Sequence, residues 1–108
     1  MKFESKPIVW MEGELKTPPL SMEARREAGY NLRLLQLGEA LSMPISRPMP
    51  TIGPRCHELR IQDKDKTWRI VYHTADDAIY ILTVFSKKTK TTPAKQIKIC
   101  KQRLKAMK

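Results

Sequence analysis

The spacing of apolar positions along this chain changes period twice, and the changes mark out its elements. Ile8-Val9-Trp10-Met11 is a short, β-prone run bounded by Pro7 and Gly13, and it predicts a first strand. Pro18 and Pro19 allow no long helix before Ser21. From Ser21 the period becomes helical: Ala24, Ala28, Leu32 and Leu35 recur on one face, while Glu23, Arg25, Arg26, Glu27 and Arg33 mostly occupy the others. With Ser21 as N-cap and Gly38 as terminator, an amphipathic core helix should run from Met22 to about Leu37. Residues 41 to 55 hold Pro44, Pro48, Pro50, Pro54 and Gly53, which exclude a helix or a central strand and predict an extended surface connection. Cys56 to Gln62, Thr67 to His73 and Ile79 to Phe85 then form three β-rich runs separated by Asp/Lys and Asp-Asp turn signals, the pattern of an antiparallel meander. Thr92-Pro93 reads as an N-cap followed by proline at the first helical position. Ala94, Ile97, Cys100, Leu104 and Met107 follow at helical spacing.

Length limits what these elements can build. A chain of 108 residues fits one domain, residues 1–108, that buries about 60 to 70 per cent of its unfolded surface. No apolar run approaches the roughly 20 residues of a membrane span, and the start MKFESKPIVW lacks the apolar stretch of a signal peptide, so a cytoplasmic protein without a membrane partner is expected. Cys56 and Cys100 lie far apart with no CxxC or Cys/His spacing, which argues against a metal site and predicts two reduced thiols. No cofactor motif appears.

Charge changes the picture more than composition does. The formal net charge is +10, and nine units of it fall between Lys87 and Lys108, where Lys87, Lys88, Lys90, Lys95, Lys98, Lys101, Arg103, Lys105 and Lys108 share the segment with no acid. Residues 1 to 86 are close to balance. A surface of that sign attracts a polyanion, by counterion release if the partner is nucleic acid. An acidic protein and an anionic membrane are the other classes that charge alone allows.

Strand alternation groups the candidate chemistry. Leu59 and Ile61 take one face of their strand, with His57 beside them, and Glu58 and Arg60 take the other. Arg69, Val71 and His73 share a face opposite Trp68, Ile70 and Tyr72. If the connection is symmetric about Lys64-Asp65, Arg60 stands directly across from Arg69, at a cost of roughly 0.2 to 1 kcal/mol for like charges on a sheet. Such a pair on an exposed face suggests an anion bound between them; alternatively Glu58 or a nearby aspartate screens it. Glu58, Arg60, Arg69 and His73 together hold what cleavage of RNA by its own 2′-hydroxyl requires, namely a base, cations for the charged phosphorane and an acid for the leaving oxygen. Histidine suits either proton role near neutral pH. Lys87-Lys88-Thr89-Lys90 precedes a helix start and forms a phosphate site or a solvated basic turn. Trp68, Tyr72, Tyr80 and Phe85 either stack bases or fill the core.

The words KPIVW, EARREAGYNLRLLQLGE, PMPTIGP, ELRIQD and WRIVYHTADDAIYILTVFSKKTKTTP closely resemble the phage-derived, HigB-type branch of the RelE/ParE toxin superfamily over residues 6 to 105. The most specific phrase is VFSKKTKTTP, similar to the family's F-x-K-K-T-x-x-T-P signature. The resemblance implies an α+β fold with an N-terminal strand, helices packed on one face of a mainly antiparallel sheet, and a C-terminal helix. It implies a toxin that cleaves mRNA in the ribosomal A site and is neutralised by a cognate antitoxin, commonly a helix-turn-helix protein. By position, Arg69 looks like the arginine at the scissile phosphate, Arg60 like a basic residue of the preceding strand, and Lys87 and Lys88 like the pair ending the last strand. The lysines and arginine of the final helix, Lys95, Lys98, Lys101 and Arg103, with Lys90 before it, are then candidate RNA contacts.

This chain also departs from the pattern. Glu58 stands where RelE has a lysine, Ala94 about where it has a catalytic tyrosine, and Arg55-Cys56 in place of a glycine-containing turn. Since one fold hosts several activities, a ParE-like inhibitor of DNA gyrase and a non-toxic nucleic-acid-binding module stand beside a metal-independent endoribonuclease.

Overall fold

The computed structural model describes residues 5–16, 19–87 and 92–107. The three β-rich runs pair as the meander their short connections predict. β3 (Cys56–Asp63) and β4 (Lys66–Thr74) turn at Lys64-Asp65, where Lys64 takes a left-handed φ of 54°. β5 (Ile79–Lys87) returns antiparallel to β4. β1 (Ile8–Trp10) joins β5 in parallel, and β2 (Ser46–Pro48) joins β3 antiparallel. The result is a five-stranded mixed sheet in the order β1-β5-β4-β3-β2. A second strand therefore lies inside the proline-rich stretch read as a plain connection. Pro48 is tolerated because β2 is an edge strand, where a missing N–H need not break a ladder.

Helix α1 (Met22–Gln36) starts where Ser21 Oγ accepts a hydrogen bond from the amide of Ala24 at 3.0 Å, and it stops before Gly38, whose φ of 91° favours glycine. Its Ala24, Ala28, Leu32 and Leu35 are buried against Leu59, Ile61, Trp68, Ile70, Tyr72 and Ile81. The α1 end of this layer is tied by Asp63, whose Oδ2 accepts from the Ser21 amide at 3.0 Å and from Trp68 Nε1 at 2.9 Å.

Helix α2 (Ala94–Ala106) packs on the other side. Cys100 is buried with Met49, Ile52, Cys56, Val71 and Leu82, and Ile97, Leu104 and Met107 pack against them. Val71 alternates with Ile70 and Tyr72, so the two helices cover opposite faces of the sheet. This corrects the expectation of helices on one face. The physical reason lies in β3 to β5, which are apolar on both sides over part of their length and need two covers. A bulge helps: the register shifts between Val71 and Tyr72, pairing Val71 with Thr83 and Tyr72 with Ile81 and leaving Leu82 as the extra residue. Consecutive Leu82 and Thr83 are thereby both buried on the α2 side, while Ile81 fills the α1 core.

The start of α2 differs from its sequence signal. Pro93 is the N-cap, without a side-chain cap bond, and Thr92 turns its hydroxyl toward the sheet. Ala94 is exposed rather than part of the apolar stripe. Arg103 fixes the other end: its guanidinium grips both oxygens of Glu12 at 2.8 Å and donates to the Leu82 carbonyl. Trp68 and Tyr72 are core residues, while Tyr80 and Phe85 are half-buried. No helix among the described residues is long and apolar enough to cross a membrane.

Candidate functional site

On the α2 face, cross-strand pairing sets Arg60 directly opposite Arg69, and Glu58 opposite both Val71 and, on β2, Arg47. Alternation brings Glu58, Arg60 and Arg69 together as the sequence predicts, and adds Arg47. Between the two facing arginines lies a carboxylate. Glu58 Oε1 accepts from Arg69 Nη1 at 3.1 Å and from Arg60 Nε at 3.3 Å, and Glu58 Oε2 accepts from Thr92 Oγ1 at 2.5 Å. The screening alternative is thus the geometry observed, with two guanidiniums on one carboxylate, Arg47 across the ladder from it, and a positive excess left over.

Burial separates the members of this cluster. Arg69 is 1 % exposed and Glu58 is 0 % exposed. The expectation of arginines on an open sheet face is corrected for Arg69, because Phe85 stands opposite it on β5 and Thr92 closes over Glu58. Desolvation pushes the Arg69 guanidinium below its ordinary range, Glu58 beside it pulls it back up, and Arg60 and Arg47 push it down again. The Arg60 side chain keeps 22 % of its exposure, so it reaches solvent where Arg69 does not. Arg47 is exposed on its edge strand.

The remaining candidates distribute unevenly. Lys87 is half-buried at the end of β5, opposite Thr67 and on the same face as Arg69. Lys88 and Lys90, with Thr89, lie outside the described residues. His73 shares the face but sits four residues along β4 from Arg69, about 13 Å at strand rise. Its Nδ1 lies 3.6 Å from Cys56 Sγ, directly across the ladder. The structure does not bring His73 into the arginine cluster. Lys95, Lys98, Lys101 and Lys105 are exposed on the outer side of α2. Arg103, grouped with them by charge, is instead a fastener between α2 and Glu12, and the contact raises its pKa while lowering that of Glu12.

Two smaller features bear on the site. Arg55 holds a φ of 58°, so the left-handed turn is kept without glycine, at about 1 kcal/mol. Its guanidinium meets Asp76 at 3.1 Å. The thiols of Cys56 and Cys100 are free and buried, and burial pushes them up to about 11 and about 12, leaving both protonated near neutral pH. Among the described residues no group of His, Cys, Asp and Glu is arranged to hold a metal ion.

Sequence reasoning missed Arg47 and the role of Thr92. The word Ser46-Arg47-Pro48 buries only Ser46 and leaves Arg47 and Pro48 exposed, so no alternation marks it as a strand. The neighbouring Pro93 marks Thr92 as a helix start, and nothing local points to a partner 34 residues away.

Residues 18–105 match the family model described as phage derived protein Gp49-like (DUF891). Neither the curated proteins nor the solved structures yield a match to the chain.

Proposed function

The chain belongs to the Gp49-like family of phage-derived proteins, a RelE/ParE-like toxin family, and on that premise we propose that it is a ribosome-dependent mRNA endoribonuclease of a type II toxin–antitoxin pair, nearest the HigB-type branch. The observation that carries this reading is the set of three arginines on one sheet face, two of them on Glu58 and Arg47 across the ladder from it. In the proposed reaction the ribosome holds the RNA, and the protein supplies charge and proton transfer. An incoming phosphate is met first by Arg60 and Arg47, the two guanidiniums that reach solvent. As it draws Arg60 away, Glu58 Oε1 keeps only its contact to Arg69 and takes the 2′-hydroxyl proton. The 2′-oxygen then attacks phosphorus, the bond to the 5′-oxygen breaks as solvent water gives that oxygen a proton, and a 2′,3′-cyclic phosphate and a 5′-hydroxyl end result. Arginines beside the phosphorane stabilise its added charge. Arg69 serves here mainly as a positioning residue that orients Glu58, which exchanges the roles that the family resemblance gives to Arg60 and Arg69.

The lysine side of α2 fits two further partners of this reading. Lys95, Lys98, Lys101 and Lys105 would meet ribosomal RNA during action and an acidic antitoxin surface during inhibition. Pulse labelling after induction of the free protein tests the reading: protein synthesis should fall before DNA synthesis does, with mRNA cut on ribosomes. An early block of replication with gyrase-cleaved DNA would support the ParE-like alternative instead.

A further inference from the structure

Beside the arginine cluster, between β2 and the first turns of α2, lies a groove of about 410 Å³ that shares only Arg47 with the cleavage scheme. Its floor is Met49, its walls include Pro48, Pro50 and Ile97, and its polar edge carries Arg47 and Thr51. Thr92 lines it as well, and the hydroxyl of Thr92 holds Glu58. Groove and carboxylate are therefore separated by a single side chain.

We propose that this groove binds one nucleotide of single-stranded RNA next to the scissile phosphate, with the base between the apolar walls and its phosphate on Arg47. The inference rests on the nuclease reading and deepens it by naming a subsite. Three observations favour a nucleotide over another occupant. Proline rings and an isoleucine present apolar surface, and the thioether of Met49 below adds a polarizable contact suited to an aromatic ring. Arg47 gives the positive charge that a phosphate needs, and among the described residues no carboxylate lines the groove. Thr51 is exposed at the turn closed by the Ile52 amide on the Met49 carbonyl, and its hydroxyl can both donate to and accept from a base edge. Thr51 is thus the residue that would set base preference beside the cut.

Titration of the isotope-labelled full chain with each of the four nucleoside 5′-monophosphates, followed by amide NMR, tests the proposal. The amides of Thr51, Thr92 and Ile97 should shift saturably, more strongly with one base than the others. Arg47→Gln should weaken that binding about tenfold, and Thr51→Trp, which fills the groove from an exposed turn, should abolish it. Absence of saturable shifts with all four nucleotides overturns the subsite, as does inorganic phosphate producing the same shifts, since the base then contributes nothing. Mapping of cuts on ribosome-bound mRNA separates this from the underlying reading. If wild type cleaves and Thr51→Trp cuts with an unchanged base preference, the subsite is wrong and the nuclease stands. Should nucleotides bind as expected while no ribosome-bound mRNA is cut, the nuclease is wrong and the nucleotide groove stands.

Discussion

Replacing Arg69 with alanine should unfold much of this protein's margin of stability before it says anything about catalysis. The side chains of Arg69 and Glu58 are 2 % and 0 % exposed, and their contact is 3.1 Å. Removing one partner of such a pair leaves the other as a buried charge, a change that costs about 3 to 5 kcal/mol. Here Arg60 and Thr92 still reach Glu58, so the lower end applies, about 3 kcal/mol. At roughly 4 to 8 °C per kcal/mol for a domain near this size, the melting temperature should fall by about 12 to 24 °C. Thermal melts and urea titrations of wild type, Arg69→Ala, Glu58→Gln and the pair Glu58→Gln with Arg69→Met check this. The paired variant should recover a large part of the loss, because it strands no charge. An Arg69→Ala protein that melts with wild type would refute the burial and the pairing together. Arg60→Ala is the cleaner probe of chemistry: its side chain reaches solvent, and Arg69 and Thr92 stay on Glu58 when it is removed, so it should cost less stability than Arg69→Ala.

Other outcomes follow from contacts elsewhere. Arg103→Ala should cost about 1 kcal/mol, the pair being partly exposed, and should speed amide exchange throughout α2; unchanged exchange there would show that the Glu12 grip does not hold the helix. Asp63 is held below the usual carboxylate range, mainly by the Ser21 amide and also by Trp68. A depressed carboxylate contributes stability above its unfolded pKa of about 3.9 and loses it as pH falls through the lower folded value. Wild type should therefore lose melting temperature more steeply than Asp63→Asn below about pH 4, and parallel curves would remove Asp63 from the account. Replacing Lys95, Lys98, Lys101 and Lys105 with glutamine should weaken ribosome binding and flatten its dependence on salt. Equal affinity at several salt concentrations would make the lysine side a solvated cover only.

Local signals carried most of the scaffold. Ser21 and Gly38 frame α1 as their chemistry requires, and the hairpin at Lys64-Asp65 sets Arg60 against Arg69 because register follows from a symmetric short turn. What the sequence hid was long-range. Alternation says that Glu58 and Arg69 share a face, but the depth of that face depends on Phe85 and Thr92 arriving from other elements. In the same way, the charge of Arg103 says nothing of Glu12, which lies 91 residues away. The bulge that turns both Leu82 and Thr83 toward α2 is likewise an extra residue that a period-two reading cannot see.

Thr92 gives α2 a particular place in the order of folding. Its hydroxyl is engaged by Glu58, so the helix begins without a side-chain cap, has no acid in its first turn and is crowded with lysines. At 13 residues it falls where isolated helices are marginal in water. The sheet and α1 must then assemble first and offer a surface on which α2 condenses. Glu58 and Arg69 stay open to water until that last step, and thermal motion that lifts α2 away reopens them before any strand has parted.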